Sequence, residues 1–162
     1  NLVHWLMNFA ALRYLGRRAE VLARWPHMII VFVISAFAGG VATVYFMPEI
    51  PSVGASGGIL GLLGFLLIFE TLHSELVPKS ASKRLLAGLV MIAVMGVLGF
   101  RFIDNAAHAG GLIAGMVYAL IVFPPSASVS RPDILSKDRI FGACGLAVLV
   151  SSAALCVSLL LR

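Results

Sequence analysis

The chain has 162 residues, of which 60% are hydrophobic and 12% charged, and its mean hydropathy is +1.03. A soluble domain carries about 25% charged residues, so composition excludes an ordinary soluble globule and indicates a polytopic membrane protein embedded in a lipid bilayer. The net charge of +5 in so apolar a chain marks loops on one membrane side, and no nucleic-acid partner is expected.

A bilayer is crossed by a helix of about 20 apolar residues, with 17–25 the usual range. In chain order the uncharged or nearly uncharged runs are 2–15, 28–47, 54–69, 85–100, 106–123 and 140–161. They predict an all-α transmembrane bundle of about six hydrophobic helices. Residues 1–123 form its core, 124–139 a polar linker and 140–162 an appended helix. Lysine and arginine set the orientation. Arg13 near the end of the first run is joined by Arg17, Arg18 and Arg24 after it, Lys79, Lys83 and Arg84 follow the third, and Arg131, Lys137 and Arg139 the fifth. The remaining two cations are Arg101 and Arg162. The positive-inside rule places the three basic segments in the cytoplasm and loops 48–53 and 101–104 outside.

Polar residues that interrupt apolar helices then fall at one depth. His4 and Asn8 are four apart on one face of the first helix, near its outer end. Ser56 is in the first turn of the third helix, and His108 is about one turn into the fifth. Each has a bland reading as a packing residue. Ionisable side chains within membranes are nevertheless costly and tend to be functional. Gly57, Gly61 and Gly64 recur beside Ser56, and Gly111 and Gly115 follow His108, so two smooth faces allow close helix approach. Close approach would bring the Ser56 hydroxyl to the His108 imidazole as its general base. The third helix is short: 16 residues reach about 24 Å, less than the hydrocarbon thickness of about 30 Å. Its start would therefore lie in a submerged polar cavity, where free helix amides suit an oxyanion. The Ser56 amide and the His4 and Asn8 side chains are its candidate donors.

These residues resemble the rhomboid intramembrane serine proteases. The likeness rests on "HWLMN" (His4, Asn8), "GASG" (Ser56) and "NAAHAGGLIAG" (His108, Gly111, Gly115), with "GRRAE" (Gly16, Glu20) after the first helix. The resemblance implies Ser56 as nucleophile, His108 as base, and His4 and Asn8 in the oxyanion hole. It also implies transmembrane protein substrates cleaved near the extracytoplasmic or luminal side. By the same likeness, 85–100 corresponds to a helix often regarded as a moving gate, and 140–161 to an extra C-terminal helix. The family's first helix and the loop after it would precede Asn1. Leu60 stands where an aromatic residue commonly stacks on the histidine. No metal or organic cofactor is implied. The alternative is a non-proteolytic membrane-protein binder or small transporter, which also uses helix N-termini at polar cavities.

Elsewhere, Glu20 is expected to pair with Arg17 and Arg24, and Glu70 and His73 to face the cytoplasmic surface. His27 is expected at the membrane interface, and Cys144 and Cys156 as buried small residues.

Overall fold

The computed structural model describes residues 2–49, 55–99 and 103–161, and these are all-helical. The loop expected to lie below the membrane surface before Ser56, together with Gly54 and Arg101, falls largely outside the described residues. Among those described there are five α-helices and one 3-10 turn: α1 (Leu2–Phe46), α2 (Ser56–Leu72), α3 (Lys79–Leu98), α4 (Asn105–Val122) and α5 (Ser136–Leu160), with the turn at Ser74–Leu76. The expected six helices become five because the first two runs join end to end in α1, as two limbs either side of Arg24. α1 turns at Arg24, whose φ of 71° and ψ of 163° are non-helical. That region is essentially glycine-only and costs a residue with a side chain on the order of 1–3 kcal/mol. Pro26 follows, at the start of the second limb, where its missing N–H is not needed. The arginines expected in a connection, Arg13, Arg17 and Arg18, are therefore helical.

Four of the helices (α1, α3, α4 and α5) are long and apolar enough to cross a membrane. The exception, α2, is the centre of the fold. Every residue from Gly57 to Leu66 is buried, as expected of a helix that is apolar all round. The C-terminal limb of α1 (25–46) runs antiparallel to α4. Thr43 meets Asp104 at one end of this pair and His27 meets Tyr118 at the other. α2 and α4 run parallel, with Gly57 beside Ala107 and Gly61 beside Gly115.

The end opposite Ser56 is buried and polar, which corrects three expectations. Glu70 is 1% exposed and His73 3%, so neither faces the aqueous surface. Arg18 donates Nε to Glu70 Oε1, and the Ser82 hydroxyl donates to Glu70 Oε2 at 3.2 Å. An ionised carboxylate needs such partners to be buried at all. His73 donates Nδ1 to the Phe69 carbonyl at 3.1 Å and stacks on the Phe69 ring at 4.4 Å. His27 is also buried rather than interfacial. It packs edge-on to Phe123, hydrogen-bonds the Tyr118 hydroxyl at 2.7 Å, and has Asp138 3.7 Å from Nε2. With the Nε2 proton turned toward that carboxylate, Nδ1 accepts from the tyrosine.

Glu20 is exposed and forms no ion pair with Arg17 or Arg24 among the described residues; Arg18 instead reaches across to α2. The linker returns against the core, with the Ser126 amide donating to the Leu72 carbonyl at 3.0 Å and Arg131 donating to the Val21 carbonyl at 3.0 Å. α5 starts at Ser136 because Asp138 Oδ2 accepts the Leu135 amide at 2.8 Å, closing the first turn. It docks through Gly142, where an added carbon would meet Pro26 at 2.7 Å. Cys144 and Cys156 are exposed on this helix, contrary to the buried reading, because α5 touches the bundle along one narrow stripe.

Candidate active site

Ser56 is the first residue of α2, with Ala55 at its N-cap. No side chain caps this end, so first-turn amides are left for other acceptors. Ser56 itself is half-buried. His108 lies one turn into α4, half-buried, with its amide donating to the Asp104 carbonyl at 3.2 Å. The two helices meet one residue from each of these side chains. A carbon added to Gly57 would lie 3.4 Å from the Ala107 carbonyl oxygen, and one added to Gly111 would collide with the Gly57 carbonyl. The seam continues downward, with Gly115 on the Gly61 carbonyl, and Gly64 on the Leu112 carbonyl and Met116. Gly61 also faces Ser35 of α1. Four of the five glycines that the sequence singles out, Gly61, Gly64, Gly111 and Gly115, thus stand where a side chain would force helices apart, while an added carbon at Gly57 would make ordinary contact.

The N-terminal limb of α1 (2–23) carries the other pair. Asn8 Nδ2 donates to His4 Nε2 at 3.0 Å, so the two share a face as the spacing predicts. His4 is exposed and Asn8 half-buried. The start of this limb and the start of α4 lie at the same end of the bundle. Among the described residues, no hydrogen bond joins Ser56 to His108, or Asn8 to either. Leu60, one turn after Ser56, is buried and supplies no ring for the imidazole.

Asp104 caps α4: its Oδ1 accepts the Ala107 amide at 2.8 Å and its Oδ2 accepts the Thr43 hydroxyl at 2.6 Å. It ties the start of α4 to α1, a link the sequence does not reveal because Thr43 is 61 positions away. Among the described residues no three His, Cys, Asp or Glu side chains stand close enough to share a metal ion.

A polytopic helical membrane protein with a serine and a histidine heading two glycine-sealed helices defines a narrow class. The Rhomboid domain family model matches residues 1–125, and the chain belongs to the rhomboid family. It is 34% identical over 122 residues to RHOMBOID-like protein 6, mitochondrial, of Arabidopsis thaliana, covering 75% of this chain and 39% of that protein. It is 30% identical over 139 residues to Rhomboid protease GluP of Bacillus subtilis, covering 83% and 26%. It is also 29% identical over 138 residues to Inactive rhomboid protein 1 of Homo sapiens, covering 84% and 16%. The chain spans well under half the length of each of these relatives.

Proposed function

We propose that this protein is an intramembrane serine endopeptidase acting through a Ser56–His108 dyad. The observation that carries the reading is the seam of Gly57 and Gly61 on Gly111 and Gly115, which begins immediately beside both side chains. In the proposed reaction the Ser56 hydroxyl attacks a peptide carbonyl of a transmembrane substrate while His108 takes its proton. Charge developing on the carbonyl oxygen is met by the Ser56 amide and by Asn8 and His4. His108 then protonates the leaving amine, and water, deprotonated in turn by His108, hydrolyses the acyl-enzyme. Resting-state catalytic hydrogen bonds are often long, so the missing Ser56–His108 bond is compatible with this chemistry. The positive-inside rule puts the reaction at the extracytoplasmic or luminal leaflet.

The same missing bond, Leu60, and the likeness to an inactive rhomboid protein favour a second reading, in which the fold binds membrane proteins without cutting them. A fluorophosphonate probe separates the two. The dyad reading expects covalent labelling of the purified protein that is lost in Ser56→Ala and strongly reduced in His108→Ala, with loss of cleavage of a transmembrane substrate. Removing the nucleophile of such a unit costs about 10⁶ in kcat in a soluble serine protease. Folded wild-type protein that neither labels nor cleaves supports the binder.

A further inference from the structure

We propose that an arginine-lined pocket between the N-terminal limb of α1 and the base of α3 binds the headgroup of an anionic phospholipid. The pocket holds about 650 Å³, within the roughly 300–1,000 Å³ usual for small-molecule sites. Arg13, Arg17 and Arg18 line it from α1 and Arg84 from α3, over an apolar floor that includes Leu22 and Ala81. None of the described residues lining it is acidic. Among the described residues Arg18 alone of these four has a carboxylate partner, Glu70. Arg13 and Arg17 are four apart on one helical face, a spacing at which like charges repel, and neither has an ion pair among the described residues. Arg84 spends Nε on the Ser80 carbonyl at 3.4 Å.

Three cations without carboxylates therefore converge on one concavity, and an anion held there relieves their repulsion. Guanidinium groups match phosphate oxygens in pairs. The membrane supplies the occupant. The pocket lies at the basic end of the bundle, which the positive-inside rule assigns to the cytoplasmic leaflet, where anionic lipids gather against basic segments. Leu6 and Phe9 on α1 and Leu86 and Val90 on α3 are exposed and apolar, so acyl chains meet greasy surface on both bounding helices. A bare arginine cluster serving orientation alone would need neither the concavity nor the apolar floor.

The test uses the full chain, delipidated in neutral detergent, and measures retention of phosphatidylglycerol, phosphatidylcholine and glycerol phosphate by native mass spectrometry. Phosphatidylglycerol is expected to bind at least tenfold more tightly than phosphatidylcholine, and glycerol phosphate not at all. Arg13→Gln with Arg17→Gln should weaken phosphatidylglycerol by about 30-fold, at roughly fivefold per cation. Lys137→Gln with Arg139→Gln removes the same charge from the same side outside the pocket and should change it less than threefold. Equal losses from the two double variants would show general attraction to basic segments and overturn the pocket. Unchanged retention in Arg13→Gln/Arg17→Gln, or equal binding of glycerol phosphate, would overturn the lipid assignment. Unfolding temperatures of both variants, compared in the same detergent, separate loss of the site from loss of the fold. Neither readout depends on proteolysis.

Discussion

Arg18 of α1 and Glu70 of α2 form an ion pair across the end of the bundle opposite Ser56, with the carboxylate side chain fully enclosed and the guanidinium one-fifth exposed. Ser82 adds the base of α3 to the same carboxylate. Three helices are thus joined at one buried charge, far from the site. Removing one partner of a buried pair costs about 3–5 kcal/mol, because the other charge stays desolvated.

Arg18→Ala is expected to fall toward the lower end of that range, since Ser82 remains beside Glu70. Glu70→Gln leaves a neutral acceptor for both partners and should cost about 1–2 kcal/mol, the scale of a weakened hydrogen bond. Denaturant unfolding of purified protein in detergent measures both. An Arg18→Ala variant as stable as wild type would show that the pair contributes nothing.

The glycine seam makes a sharper structural prediction. Gly115→Ala puts a carbon on the Gly61 carbonyl, where neither backbone can yield, whereas an added carbon at Gly88 meets nothing within 4 Å. Overpacking costs about 1–3 kcal/mol where side chains can shift. Gly115→Ala should meet or exceed that, and Gly88→Ala should leave stability unchanged or raise it by up to about 1 kcal/mol. Comparable thermal shifts for the two variants would mean that α2 and α4 are not sealed by backbone contact.

That seam was legible because glycine at helical spacing has few uses in a membrane helix other than close approach. His4 and Asn8 were legible for a similar reason, since a four-residue spacing alone puts them on one face. The end opposite Ser56 was not. Glu70, His73 and His27 sit at the ends of apolar runs, where sequence reads a polar side chain as interfacial. Glu70 and His27 are joined to their partners Arg18 and Tyr118 only by tertiary packing, 52 and 91 positions away. The turn at Arg24 was hidden differently, because a residue with φ of 71° ordinarily announces itself as glycine. Cys144 and Cys156 misled because a membrane helix facing lipid carries the same apolar composition as one facing protein.

Topology is open to direct measurement. The three basic segments predict that Glu49 faces outside and Ser80 the cytoplasm. Both native cysteines are exposed, so Glu49→Cys and Ser80→Cys belong in a Cys144→Ser, Cys156→Ser background. A membrane-impermeant thiol reagent applied to intact cells should label position 49 and reach position 80 only after permeabilisation. The opposite pattern would invert the chain and move Ser56 to the other leaflet.

The last question is whether His108 has an orienting acid. Soluble serine proteases place a carboxylate against the imidazole, and replacing that aspartate with asparagine costs about 10⁴ in kcat. Asp104 is the acid nearest in sequence, one turn before His108. Its oxygens, however, are engaged by the Ala107 amide at 2.8 Å and the Thr43 hydroxyl at 2.6 Å. Both bonds fix the start of α4, which is the work of an N-cap. Asp104→Asn keeps an oxygen for the cap amide, so turnover of a transmembrane substrate should stay within about tenfold of wild type, a bound set well inside the 10⁴ of a lost orienting acid. Thr43→Val removes the second partner and should lower stability by about 1 kcal/mol while leaving turnover in the same range. If Asp104→Asn in folded protein loses about 10⁴ while Thr43→Val loses nothing, the carboxylate acts on His108 itself. The site would then be a triad and the dyad reading would fail.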